Sequence, residues 1–179
     1  MSSNIFINDK RFRLYIPESD IQSIVLRIAQ EVSSDYQGLN PILCPVLTGS
    51  YLFAADLSRN LTVDCELSFV RYSSYVGMQS SGSVSEILPF SSDVKGRHVI
   101  IVEDIVDSGV TLDYMLTKLN DMEPASVAIC TFLFKPDNFV KDFPIRYIGK
   151  SIPNEFVVGY GLDYSGKGRC YKDLYIFDE

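Results

Sequence analysis

Val99-Ile-Ile-Val102-Glu103-Asp104-Ile-Val-Asp107-Ser108-Gly109-Val110-Thr111-Leu112 is the stretch on which the fold turns. It opens on β-branched residues with no polar alternation, the pattern of a strand covered on both faces of a parallel sheet. Two adjacent carboxylates, Glu103 and Asp104, close that strand. Asp-Ser-Gly-Val-Thr follows, and Leu112, Met115, Leu116 and Leu119 then resume an apolar period that predicts a helix. A strand, a small polar turn and a helix start together make a phosphate cradle. The free N–H groups of the first helical turn point at the ligand, and the helix dipole favours negative charge there. The turn lacks a Gly-x4-Gly-Lys spacing, which argues against a nucleoside triphosphatase. The two acids repel phosphate but suit sugar hydroxyls, or a metal bound to them. A phosphorylated sugar fits both halves of the stretch. The plain alternative is a solvated turn leading into an ordinary capped helix, and the rest of the chain decides between them.

A chain of 179 residues with 46% hydrophobic and 22% charged content suits one globular domain with a sizeable core. The net charge of -7 argues against a general nucleic-acid binder, which would carry a basic face. An anionic substrate must therefore be held by local groups. Cys44, Cys65, Cys130 and Cys170 form no CxxC pair, and His98 is the single histidine. This argues against a zinc site and for free thiols in a reducing compartment. There is no apolar leader pattern and no run of membrane-spanning length, so the expectation is a cytoplasmic protein with no membrane partner. A Ser-His-Asp or Cys-His enzyme would need His98 as its base. Its place at the start of a strand leaves acid–base work to carboxylates or lysines.

Residues 4–17 read as an irregular arm with strand character. Pro17-Glu18-Ser19-Asp20 starts a helix that Ile21, Ile24, Val25, Ile28, Ala29 and Val32 space out, and Gly38 and Pro41 end that unit. Ile42–Leu47 is a second buried strand, with Pro45 pointing to a sheet edge or a bulge. Thr48-Gly49-Ser50 turns into a mostly apolar helix whose run carries the single charge Asp56. Strands are predicted over 63–72, 126–134 and 156–160, and 174–177 offers a last pairing segment. Ser73 to Ser85 is rich in Ser and Gly; it is either disordered or a working lid. The alternation of strands and helices gives an α/β fold, a mainly parallel sheet flanked by helices. In such sheets ligands bind beyond the carboxyl ends of the strands.

The opening stretch resembles the phosphoribosyl-pyrophosphate (PRPP) motif of the type I phosphoribosyltransferases. Its Glu-Asp-Ile-Val-Asp-Ser-Gly form is most similar to the hypoxanthine-guanine branch. The resemblance runs from about Ile42 to Leu174. It implies one domain with a core of about 36–150 and a small hood from the terminal segments, about 1–17 and 151–179. Ser108, Gly109, Val110 and Thr111 match the 5′-phosphate loop. Glu103 and Asp104 match the groups that serve the ribose hydroxyls and the metal shell, and Asp107 the base that takes the purine N7 proton.

Thr48-Gly49 matches the pyrophosphate loop, where relatives often carry a lysine in place of Thr48; a cis peptide is expected there between Thr48 and Gly49. Ser74-Tyr75 matches the mobile catalytic loop. Lys135 matches the donor to purine O6. An ammonium can donate to a carbonyl but cannot accept from the amine of adenine. In Ile152–Tyr164, Phe156 matches the aromatic that stacks on the purine, Val157 the residue that reads the base through its backbone, and Asp163 a ligand for Mg²⁺. The basic pyrophosphate contact falls on Lys172 if Lys-Asp-Leu is the anchor, with Arg169 its rival.

The implied activity is hypoxanthine, and guanine, phosphoribosyltransfer in purine salvage. The implied partners are PRPP, a 6-oxopurine, Mg²⁺ and further copies of the chain in a dimer or tetramer, with no nucleic acid. A xanthine- or adenine-using relative is one alternative. A nucleotide-sensing RNA-binding regulator of the same fold is another, and the acidic balance counts against it.

Overall fold

The computed structural model describes residues 4–74, 84–90 and 93–178. In chain order the elements are β1 (Asn4–Ile7), β2 (Lys10–Ile16), α1 (Glu18–Asp35), β3 (Ile42–Leu47), α2 (Tyr51–Asn60), β4 (Glu66–Leu67), β5 (Val70–Ser74) and β6 (Val84–Leu88). There follow β7 (His98–Val106), α3 (Val110–Asn120), β8 (Ser126–Phe134), β9 (Tyr147–Ser151), β10 (Val157–Val158) and β11 (Leu174–Asp178).

The larger sheet has the order β6-β5-β3-β7-β8-β9, with β4 also paired to β3. Its ladders are parallel except for the antiparallel β5–β6 pair. Strand β7 lies inside this sheet and is covered on both sides, which explains its lack of alternation. Ile100 and Val102 pack with Val25, Ile28 and Val32 of α1 and Phe53 and Leu57 of α2. Val99 and Ile101 pack with Leu112, Met115 and Leu119 of α3. Fully burying an aliphatic side chain of this kind contributes about 1.5–3 kcal/mol.

Helix α1 starts where Pro17 and the acids Glu18 and Asp20 place it, and buries Ile21, Val25, Ile28, Ala29 and Val32 as the spacing requires. Its first N–H groups find a distant partner: Glu18 N–H donates to Asp173 Oδ1 at 2.8 Å. A carboxylate at a helix N-terminus is stabilising there. Gly38 takes φ +75° just beyond the helix.

Three details differ from the sequence reading. Pro45 is in an inner strand, not at an edge. On one flank it aligns with Val102 of β7; on the other, pairing to β4 stops at Leu43 and pairing to β5 begins at Val46. The missing N–H falls beside an interruption that the sheet already carries. That same interruption splits the strand expected over 63–72 into β4 and β5, with Ser68 N–H donating to Leu43 O across the break. The apolar run 156–160 yields only Val157–Val158 as strand, because Gly159, Tyr160 and Gly161 take φ of +104°, +46° and +98°.

The two end segments of the described chain meet in a second, antiparallel sheet of order β1-β2-β11-β10. Ile7, Phe12, Val158 and Tyr175 form its own small cluster. Ile16, Val157, Leu174 and Ile176 join the main core. The segment after β9 is thereby carried above the carboxyl ends of the parallel strands. No described helix is long and apolar enough to cross a membrane.

Candidate active site

Four loops leave the carboxyl ends of β3, β7, β8 and β9 and gather over the sheet, where ligands of such folds bind. The first to consider follows β7. Gly109 precedes α3 with φ +82°, a left-handed conformation that suits glycine. A Cβ there would meet Phe139 Cε2 at 2.6 Å. Gly109 gives helix α3 no side-chain cap, and Val110 N–H donates to Ser108 Oγ at 3.5 Å, so the first turn of the helix borders the cavity with its other N–H groups uncapped by side chains. That cavity, about 220 Å³, is lined by Glu103 and by residues 105–112, including Ser108, Gly109, Val110 and Thr111. Lys141 adds a cation nearby, donating to Asp113 Oδ2 at 2.7 Å in the first turn of α3.

Asp107 sits at the mouth of this cradle with both carboxylate oxygens engaged. Lys135, at the end of β8, donates from Nζ to Oδ2 at 3.0 Å. Asn138 donates from Nδ2 to Oδ1 at 2.8 Å. Lys135 is 9% exposed, not the solvated strand terminus that such a lysine usually is. A buried ammonium needs a charged partner, and Asp107 supplies it.

Glu103 is buried and Asp104 partly so. Burial, and then the neighbouring Asp104, hold the Glu103 carboxyl well above the usual carboxylate range. Burial pushes Asp104 up to about 6, against the pull of backbone N–H groups and of the Arg169 charge. The two acids thus form a pair able to share a proton, and a cation or hydroxyl donors would release it.

The loop after β3 lies directly against this pair. A Cβ on Gly49 would stand 1.6 Å from Asp104 Oδ2, so the close approach at Gly49 excludes any side chain. A Cβ on Gly161 would meet Gly49 O at 2.0 Å. Three segments therefore meet at Gly49: its own loop, the end of β7 and the turn after β10. The cis peptide of this loop is Leu47–Thr48, one bond earlier than expected. It is the peptide that leaves the last paired residue of β3, and Thr48 O then accepts from Tyr51 N–H at 3.3 Å to enter α2.

A wider cavity of about 540 Å³ opens beside Thr48, lined also by Tyr51, Gly166, Gly168, Arg169, Cys170 and Tyr171. Arg169 donates to Gly161 O at 2.7 Å and pairs with Asp163 Oδ1 at 2.5 Å; Asp163 Oδ2 accepts from Gly166 N–H at 2.7 Å. Lys172 is not among these lining residues. It is exposed and reaches Glu18 at 3.5 Å, because its neighbour Asp173 caps α1 and Leu174 enters β11.

Phe156 is 45% exposed, near Phe12 and Tyr164 with ring centroids 6.2 Å and 5.8 Å away. It is a surface aromatic. Val157 is buried and registers with Ile176. Ser74 ends β5, and Tyr75 lies outside the described residues. His98 is half-buried at the start of β7, its Nδ1 2.8 Å from Ser126 Oγ, away from these loops. Cys44 and Cys130 are buried, Cys65 is half-buried and Cys170 exposed; all four are free.

Two contributors had weak signals or none in the sequence. Asn138 looks like any turn residue after Lys135-Pro136. Asp56, the single charge in its apolar run, accepts from the buried Tyr160 hydroxyl at 2.8 Å and so ties α2 to the turn that holds Gly161.

Comparison with known proteins gives this geometry its class. The phosphoribosyl transferase domain family matches residues 18–165, and the chain belongs to that family. Hypoxanthine phosphoribosyltransferase of Salmonella typhimurium is 41% identical over 157 residues, covering 86% of this chain and 88% of the relative. Hypoxanthine-guanine phosphoribosyltransferase of Mycobacterium tuberculosis is 40% identical over 161 residues, covering 86% and 78%. Among solved structures, a hypoxanthine-guanine phosphoribosyltransferase of Bacillus anthracis superposes with a TM-score of 0.87 at 34% identity, covering 91% of this chain and 96% of that one. A hypoxanthine phosphoribosyltransferase of Staphylococcus aureus gives 0.88 at 34%, covering 93% and 91%. Within the family, the branch is that of the hypoxanthine-guanine phosphoribosyltransferases.

Proposed function

We propose that the protein transfers the 5-phosphoribosyl group of PRPP to N9 of hypoxanthine or guanine, releasing pyrophosphate and forming the nucleoside 5′-monophosphate in purine salvage. The observation that carries this reading is the Lys135–Asp107 pair at 3.0 Å. A 6-oxopurine presents a carbonyl at C6 and an N–H at N7 on one edge, side by side. A cationic donor next to a carboxylate acceptor matches that edge. Adenine offers an amine at C6, which an ammonium cannot use.

As N9 bonds to C1′, the bond from C1′ to pyrophosphate breaks and the N7 proton passes to Asp107. The uncapped start of α3, with Ser108 to Thr111, holds the 5′-phosphate. Glu103 and Asp104 face the ribose hydroxyls and the positive charge that grows on the sugar. Thr48 and Gly49 present backbone groups to pyrophosphate, and Arg169 supplies the cation that Thr48 does not. Phe156 stacks on the base, with Val157 reading it through the backbone.

Mg²⁺ fits the donor set. Among the described residues no ready-made cage of three or more ligating side chains converges. Mg²⁺, however, is commonly held by one or two carboxylates together with substrate phosphate oxygens. Asp163 and the Glu103–Asp104 pair supply hard carboxylate oxygens of that kind, Asp163 being held by Arg169 and Gly166 N–H. When bound, the ion neutralises charge on the departing pyrophosphate. We place the enzyme in the cytoplasm as a homo-oligomer, dimer or tetramer, needing neither nucleic acid nor membrane. The terminal-segment sheet serves as a hood, about 1–17 and 151–179, over the core of about 36–150.

The test is PRPP-dependent conversion of hypoxanthine, guanine, xanthine and adenine with Mg²⁺. Hypoxanthine and guanine are expected to be converted, with adenine disfavoured by about 10⁴-fold in kcat/KM. Adenine conversion at a comparable rate, or no PRPP-dependent product, would overturn the reading. The pyrophosphate end has its own test in the reverse reaction. Arg169→Ala is expected to raise the KM for pyrophosphate roughly 10- to 100-fold, the loss of a charge-assisted contact. Lys172→Ala, which removes an exposed ion pair, should stay within about twofold of wild type. The opposite ranking would return the role to Lys172.

A further inference from the structure

Asp107 is held from two sides, and only one of its partners is needed for the purine. Lys135 faces Oδ2 and is the group that meets O6. Asn138 donates to Oδ1 at 2.8 Å and has no charge to offer the substrate. It stands on a single 3-10 turn, Pro136–Asn138, that directly follows Lys135. The turn is pinned at both ends: Asn138 N–H donates to Lys135 O at 3.2 Å, and Val140 N–H donates to Ser108 O at 3.3 Å. Phe139 also packs where a Cβ on Gly109 would be. The amide of Asn138 is therefore fixed relative to the phosphate loop as well as to Lys135.

We propose that Asn138 is a positioning residue for the transfer reaction, holding Oδ1 of Asp107 so that Oδ2 is presented to the purine N7 proton when Lys135 turns to O6. This rests on the reading of Asp107 as the base. Without Asn138, the half-exposed Asp107 carboxylate is free to rotate once Lys135 lets go. An amide donor is suited to the task. It fixes one oxygen without competing for the purine carbonyl and without carrying a proton that could be lost.

The experiment compares wild type, Asn138→Ala, Asn138→Asp, Asp107→Asn and the double variant Asp107→Asn/Asn138→Ala, in hypoxanthine phosphoribosylation and in pyrophosphorolysis of inosine 5′-monophosphate. Asn138→Ala is expected to lower kcat roughly 10- to 100-fold in both directions, the scale of a misplaced catalytic group, with the KM for PRPP nearly unchanged. Asn138→Asp should lower it further, since it sets a second carboxylate against the first. The double variant should be no slower than Asp107→Asn alone, because a residue that acts through Asp107 costs nothing more once Asp107 is gone. A purely structural residue would add its full loss in the double variant, and that result would overturn the proposal. So would wild-type kcat in Asn138→Ala beside a crippled Asp107→Asn. Unchanged turnover in Asp107→Asn would remove the base reading itself, and the positioning role with it.

Discussion

Asp107→Asn is expected to lower turnover by about 10²–10⁴-fold, the usual worth of a general base. The KM for PRPP should change little. Asparagine keeps the size and planarity of the side chain, and the phosphate loop beside it is built from backbone N–H groups and the hydroxyls of Ser108 and Thr111. What is lost is the ability to take a proton. Lys135 also loses its anionic partner at 3.0 Å, so its ammonium is left with only a neutral amide oxygen in a largely buried position. A modest fall in melting temperature should accompany the kinetic loss. Steady-state kinetics with hypoxanthine, followed by ultraviolet absorbance and paired with thermal denaturation, separates the two effects. Turnover unchanged from wild type would take the proton-accepting role away from Asp107.

Gly49→Ala is the second change with a large expected effect, and it works through space alone. The backbone at Gly49 does not take a left-handed φ, so alanine is conformationally allowed. The obstacle is Asp104, whose Oδ2 and Cγ lie 1.6 Å and 2.5 Å from the added carbon. Asp104 has a short side chain at the end of an inner strand and Glu103 beside it. The loop cannot retreat either, because Gly161 occupies its other side. Overpacking of this kind costs about 1–3 kcal/mol of stability. Displacing the loop proposed to hold pyrophosphate and the acid proposed to face the ribose should lower kcat/KM for PRPP roughly 10²-fold. Denaturant unfolding and PRPP kinetics read the two numbers. An alanine variant with wild-type PRPP kinetics would show that the loop has room to move.

The strand–turn–helix unit of β7 and α3 was legible because each of its signals is local. The apolar run, the acids, the small turn and the resumed period lie in one continuous stretch, and each follows from backbone geometry. Strand β8 and the start of α1 were legible for the same reason. What escaped depends on partners far away in the chain. Pro45 suits an inner strand only because β4 and β5 leave a gap beside it. Asn138 carried no signal at all, since nothing in Lys-Pro-Asp-Asn says that the last side chain will reach back across the sheet to Asp107.

On the proposed mechanism, the ion pair between Lys135 and Asp107 at 3.0 Å makes accuracy a matter of timing as well as fit. A base with no carbonyl at C6 gives the ammonium no reason to leave, so the carboxylate stays neutralised while N9 approaches the sugar. A wrong base that does enter the cleft then waits on a disabled proton acceptor and has time to depart. Weak attachment and slow reaction multiply. One lysine, placed against the proposed base, thereby screens each candidate twice.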